Sequence, residues 1–299
     1  MANTDSIQHF IFDSTDIRGE IITLEEAYQQ VRNNNMAAED AMPERVLQLL
    51  GEFMAAVALL SGTLKFEGLL TLQARGDGAM PMIMAEASYQ KGLRAAVQVN
   101  DAAAIEALES ASLADLLGNQ GLLAILIQPD KGERYQGIVP LVKTDLAECL
   151  EDYFAQSEQL GTRFWLAADE KRATGLMVQE LPQQLADAKT NAEHWQTITA
   201  LAETIKDEEL LSLDQHTILY RLFNEEEVRL FDPVPVSFQC SCSEERCANT
   251  ILSIGQSEAQ AILSEQDLIT MDCHFCGQKY QFGPQQVEKI FAEADKARH

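Results

Sequence analysis

Basic residues are scarce: 22 lysines and arginines stand against 47 aspartates and glutamates in 299 residues, a formal net charge of -25. A phosphate backbone would meet net repulsion instead of the counterion release that drives such binding, so nucleic acid is not an expected partner. No G-x-x-x-x-G-K-[ST] loop occurs, and Gly76-Asp77-Gly78 lacks its lysine and reads as a turn, which leaves nucleotide-driven chemistry unsupported. Long apolar runs are missing too. The longest, Val46 to Leu60, is broken by Gln48, Gly51 and Glu52; it is too short to span a bilayer and reads as a buried helix, so no membrane association is expected. Residues 1–7 show no basic stretch followed by an apolar run, and without an export signal the expected compartment is the reducing cytoplasm. There is no internal repeat and little low complexity, and the hydrophobic share of 46% is enough for most of the chain to fold.

What is present falls into three textures. Phe10-Ile11-Phe12 and Glu20-Ile21-Ile22 read as strands, and helical patterns start at Leu24 and Pro43. Strand candidates then follow quickly: Leu69 to Ala74, Pro81 to Glu86, Leu93 to Val99, Leu122 to Gln128 and Gln136 to Val142. After Thr144, read as an N-cap, Leu146, Cys149, Leu150, Tyr153 and Phe154 share one helical face, which makes Cys149 a core residue. Phe164 to Ala167 and Gly175 to Gln179 close this part as a strand pair. The expected class is α+β: an N-terminal domain, 1–185, with a mixed, mostly antiparallel sheet and packed helices. From about Leu185 the pattern turns helical, with one stripe of Ile198, Leu201, Ala202 and Ile205 and another of Ile218, Leu219, Leu222 and Phe223. Residues 186–237 read as a helical linker whose last part, from Val228, is extended. Residues 238–299 form a small C-terminal domain.

Five of the six cysteines fall in that last part, at Cys240, Cys242, Cys247, Cys273 and Cys276. In a reducing compartment such a cluster points to metal or redox chemistry before structural disulfides. Cys273-His274-Phe275-Cys276-Gly277 has the form of a zinc knuckle, with two residues between ligands and a glycine able to take positive φ. Together with Cys240-Ser241-Cys242 it supplies four soft thiolates, suited to one tetrahedral Zn(2+) per chain in a closed, non-hydrolytic site. A fifth thiol is left over, and Cys247 or His274 could stand in as a ligand. The single-residue spacer of Cys240-Ser241-Cys242 is unusual for a purely structural site: it places two thiols where a tight, strained and readily reducible disulfide can form once the metal leaves. Cys273 and Cys276 can likewise close locally, so two oxidations would remove four ligands and unfold a domain with little apolar core of its own.

These residues resemble the redox-regulated heat-shock chaperones of the thirty-three-kilodalton class, a bacterial family. The C-x-C and C-x-x-C pairs about thirty residues apart carry the resemblance, with the run Cys242-Ser243-Glu244-Glu245-Arg246-Cys247. Gly132-Glu133-Arg134-Tyr135-Gln136-Gly137, Leu150-Glu151-Asp152-Tyr153-Phe154 and Glu225-Glu226-Glu227-Val228 extend it over nearly the whole chain. The resemblance implies a stress-response holdase with no catalytic residues and no enzymatic activity. It would be inactive when reduced and zinc-bound and active when oxidised and zinc-free, with disulfides Cys240–Cys242 and Cys273–Cys276 and Cys247 outside the ligand set. It further implies unfolding client proteins as partners, hand-over to ATP-dependent folding chaperones, and a homodimer in the active state. Two other classes fit the cysteines less well. A thiol-disulfide oxidoreductase would place one depressed thiolate in a thioredoxin-like βαβ setting, and a zinc-ribbon scaffold would keep its metal under oxidant.

Overall fold

The computed structural model describes residues 5–36, 42–62, 67–89, 91–106, 112–185 and 187–297. Residues 1–4 of the N-terminal stretch and Ala186, where the linker reading begins, lie outside them. The chain divides into two compact units, Met1–Gln239 and Cys240–His299.

The first unit is built on two sheets around one apolar helix. In the first sheet, β1 (Ser6–Phe12), β2 (Ile17–Leu24), β9 (Ala173–Glu180) and β8 (Thr162–Ala168) lie side by side and antiparallel. In the second, β5 (Gly92–Gln98), β4 (Met82–Ser88), β3 (Gly68–Arg75), β6 (Leu122–Pro129) and β7 (Tyr135–Pro140) lie side by side and antiparallel, the chain crossing back after β5 to set β6 beside β3. Between the sheets runs α2 (Glu44–Gly62), packed on strands of both. Its residues from Val46 to Ser61 are buried except Gln48 and Glu52, because the apolar positions encircle the helix instead of forming one stripe. At 19 residues it is long and apolar enough to cross a membrane, which corrects the reading of its length from Val46 to Leu60 alone; the burial of 78% of its apolar window identifies it as the core helix.

Other elements complete this layer. Helix α1 (Glu26–Met36) starts two residues later than read, and its free amides at Glu26 and Ala27 donate to the Asp5 carboxylate from the start of β1. Short α3 (Ala102–Glu106) and α4 (Leu113–Leu117) went unread. The turn at Gly76-Asp77-Gly78 passes against the end of α4 so closely that a Cβ at Gly76 or Gly78 would sit 1.9 or 2.4 Å from the carbonyl oxygen of Leu117 or Leu116. Helix α5 (Leu146–Tyr153) is capped by Asp145 and not by Thr144: the Asp145 carboxylate accepts from the Glu148 amide at 2.9 Å. A single π-helical turn, Phe154–Glu158, extends it. Cys149 is buried in this core as read, and burial raises its thiol to about 11.

The first sheet is buried on both faces, which accounts for the adjacent isoleucines of β2. Ile22 and Leu24 face α2, while Ile17 and Ile21 face a second core. That second core is roofed by α6 (Ala188–Ala202), α7 (Asp207–Ser212) and α8 (Gln215–Phe223), the helices of the 186–237 segment. Ile198, Ala202, Ile218, Leu219, Leu222 and Phe223 pack on Phe10, Phe12, Leu176 and Val178. Ile205 belongs to the same cluster but lies beyond the end of α6. The extended part of the segment forms three short strands. β10 (Val228–Leu230) and β11 (Val234–Pro235) pair with β1, and β12 (Ser237–Phe238) adds to β5 in parallel.

Asp16 fastens the start of the segment: its buried carboxylate accepts from the amides of Gln184 and Leu185, each at 3.0 Å. Asp16→Ala would strip both donors of their acceptor, at about 1–3 kcal/mol. The expected result is a selective loss of hydrogen-exchange protection at Leu185, with the amides of α2 still protected.

The second unit has five small elements: α9 (Glu244–Ile254), α10 (Gln256–Gln266), the hairpin β13 (Ile269–Asp272) with β14 (Lys279–Phe282), and α11 (Pro284–Ala297). Its buried apolar core consists of Ile251, Ala259, Ile269, Phe282 and Val287.

Candidate metal centre

Two chain segments of the second unit meet at the sulfurs. Cys240 and Cys242 lie just ahead of α9, whose N-cap Ser243 accepts from the Arg246 amide. Cys273 and Cys276 lie on the turn between β13 and β14. That turn is closed by two backbone bonds, Gly277 amide to Cys273 carbonyl at 2.8 Å and Cys273 amide to Gln278 carbonyl at 2.9 Å. Gly277 has φ +69 with nothing within 4 Å of where a Cβ would stand, so its demand is one of backbone conformation alone. Gly277→Val should therefore cost about 1–2 kcal/mol of folded turn and lower roughly tenfold the affinity of the four sulfurs for a metal ion, with Gly277→Asn milder. Competition titration against a colorimetric chelator measures both.

The four sulfurs lie within 4.8 Å of one another, and they are the one such group of potential ligands among the described residues. The closest approaches cross between the segments: Cys240 Sγ to Cys273 Sγ is 3.6 Å and Cys242 Sγ to Cys276 Sγ is 3.4 Å. A tetrahedron of sulfurs with zinc–sulfur bonds of roughly 2.3 Å has edges of about 3.8 Å, whereas a disulfide would bring a pair to about 2.05 Å. The spacing thus fits four thiolates around one ion and no disulfide, and all six cysteines are free.

Charge points the same way. Burial raises the Cys240 and Cys276 thiols. Burial acts upward on Cys242 as well, but hydrogen bonds from Tyr280 and from the thiols of Cys276, Cys240 and Cys273 outweigh it and bring that group down to about 7. Four neighbouring sulfurs cannot all ionise without a cation between them. With one bound, they would hold it as a closed shell with no open position for substrate, an arrangement suited to holding structure rather than to hydrolysis.

Of the residues weighed as ligands, Cys247 lies on α9 and packs against the small apolar core, outside the four-sulfur group, and His274 is exposed on the turn. Two neighbours escaped the sequence reading. The Tyr280 hydroxyl donates to Cys242 Sγ at 3.2 Å, and Arg246 Nη1 donates to Ser241 Oγ at 2.7 Å, steadying the residue between two sulfurs. No spacing rule marks either. Tyr280 is signalled only by alternation along β14, which places it on the same face as the buried Phe282.

Residues 5–283 match the family model described as Hsp33 protein. The chain is 49% identical over 296 residues to the 33 kDa chaperonin of Pseudomonas paraeruginosa strain PA7, covering 98% of this chain and 97% of that one. It is 47% identical over 294 residues to the 33 kDa chaperonin of Azotobacter vinelandii, covering 98% and 96%. The crystal structure of the 33 kDa chaperonin (heat shock protein 33 homolog) from Thermotoga maritima superposes with a TM-score of 0.80 over 98% of this chain and 99% of that one, at 20% identity, a likeness of fold. With a matched α+β fold and four clustered cysteines, and with relatives at nearly half identity along its whole length, the chain belongs to the Hsp33 family of chaperones.

Proposed function

We propose that this chaperone is a redox-regulated, ATP-independent holdase, switched by its four C-terminal cysteines. The observation that carries the reading is the convergence of Cys240, Cys242, Cys273 and Cys276 within 4.8 Å in a unit with five buried core residues. Bound zinc would supply the cross-link that so small a core lacks. Oxidation joins Cys240 to Cys242 and Cys273 to Cys276, leaves no ligands for the ion, and lets residues 238–299 unfold.

The functional division is 1–185 as a persistent core domain, 186–237 as a releasable helical linker and 238–299 as the switch. Release of α6 and α8 uncovers Ile198, Ala202, Ile218, Leu222 and Phe223 together with the sheet residues beneath them. A contiguous apolar surface of that kind binds unfolding proteins. The clients are cytoplasmic proteins unfolding under heat or oxidant, held by an active homodimer until ATP-dependent chaperones refold them. The role needs no catalytic residue.

Peroxide with mild heat is expected to release about one zinc per chain and to suppress light scattering by a denaturing client. Unchanged scattering with fully oxidised protein would refute the reading.

A further inference from the structure

The methionines whose side chains are described are of two kinds. Met54, Met80 and Met177 are fully buried in the core around α2; Met42 packs against that core, and Met271 against the core of the second unit. Met82 and Met84 belong to none of the three apolar clusters. Alternation along β4 turns Ile83 and Ala85 inward to α2 and sets Met82 and Met84, both half-buried, on the opposite face of the second sheet.

Between the two sulfurs stands an amide. Register places Gln73 of β3 directly across from Met84 and one diagonal step from Met82. Gln73 Nε2 lies 3.3 Å from Met82 Sδ and 3.9 Å from Met84 Sδ, so one side chain with two N–H donors faces two thioethers. The same cross-strand rows run on through Ala124 to Ile138 and through Arg75 to Leu122, and Ile138 and Leu122 are 52% and 46% exposed. A thioether is only a weak acceptor, so the amide gains little from either sulfur. A sulfoxide oxygen is polar and a far better acceptor, and Gln73 carries one donor for each.

We propose that Met82 and Met84 form a reversible oxidation site for oxidants of the peroxide class, with Gln73 as the residue that receives the sulfoxide oxygens. The site lies in the first unit and does not depend on the thiol switch. In the reaction a sulfur lone pair attacks one oxygen of hydrogen peroxide and an S–O bond forms. The O–O bond breaks, and the departing oxygen leaves as water with both protons of the peroxide. The sulfur has lost two electrons and the peroxide has gained them. In a packed core such a change is disruptive, because a flexible apolar side chain becomes polar. On this face the new oxygens meet N–H donors and water, so the sheet keeps its order while its outer rows become less apolar.

Full-length, reduced, zinc-loaded protein would be treated with hydrogen peroxide and each methionine scored for sulfoxide by mass spectrometry. Met80, two residues away and fully buried, is the internal control. Met82 and Met84 are expected to gain oxygen at least about tenfold faster than Met80. Dithiothreitol and zinc then restore the thiols and leave the sulfoxides in place. Thermal melting of the first unit should shift by less than about 1 °C in wild type, and fall by about 2–4 °C on oxidation of Gln73→Leu, each compared with its own unoxidised form. Binding of an apolar-surface dye should fall in oxidised wild type and stay constant in a chain carrying Met82→Leu and Met84→Leu. Methionine sulfoxide reductases of both epimer classes should return the two residues to methionine.

Oxidation of Met82 and Met84 no faster than Met80 would overturn the proposal, as would equal melting losses with and without Gln73, unchanged dye binding, or sulfoxides that the reductases leave in place.

Discussion

Cys273→Ser is expected to abolish zinc retention and, with it, the fold of residues 240–297. Cooperative structure would survive in the first unit. The magnitudes decide this. A core the size of the one formed by Ile251, Ala259, Ile269, Phe282 and Val287 supplies at most about 3–5 kcal/mol. Structural zinc in small domains is worth roughly 10–16 kcal/mol. Losing one of four sulfurs also leaves three that cannot all stay ionised side by side once the ion is gone, so they protonate and no longer grip it. Hydrogen exchange should show α9, α10 and α11 unprotected in the variant, as in wild type stripped by chelator, with α2 protected in both. Protected amides in the tail of the stripped chain would defeat the idea that metal holds this unit together.

Phe223→Ala is expected to make the reduced, zinc-loaded protein capture clients without oxidant. The Phe223 ring meets Phe12 edge-on at 5.0 Å between centroids and lies 6.1 Å from Phe10, on the face of the first sheet turned away from α2. Truncating a buried phenylalanine costs about 3–5 kcal/mol. The loss falls on the contact between α8 and the sheet, because none of these three rings belongs to the core around α2. The helices of the 186–237 segment should then detach at a lower temperature than the rest of the unit, giving two thermal transitions where wild type gives one. Client light scattering in the reduced state should fall alongside. A variant with a single unshifted transition and no gain in client binding would remove α8 from the account.

The clustering of four sulfurs was legible because ligand residues leave a record in spacing: a one-residue and a two-residue gap, far apart in sequence, suffice to name Cys240, Cys242, Cys273 and Cys276 as the group the fold brings together. The first sheet was legible at Phe10 and Ile21 for a similar reason, since apolar strand residues must face something. Which face each one takes was not written locally. Ile21 and Ile22 look alike in sequence and enter different cores, because the sheet is covered on both sides by helices distant in the chain. The cap of α5 fell on Asp145 instead of Thr144, a one-residue choice between two good acceptors that only the backbone path decides. Elements α9, α10 and α11 passed unread because each turns only two or three apolar residues toward the small core, too few to make a clear stripe. Cys247 could be assigned to the small core only once α9 was placed.

The helix between the two sheets sets a boundary on how far any activating rearrangement can go. α2 is apolar around most of its circumference, interrupted between Val46 and Ser61 only at Gln48, Gly51 and Glu52, and is hydrophobic enough for a membrane. A holdase that laid this segment bare would be more aggregation-prone than the proteins it guards, and would coagulate with them. Under the proposed redox switch, the two sheets that clamp α2 stay shut throughout the cycle, so that order is surrendered only at the periphery and the molecule can return to rest when its thiols are reduced.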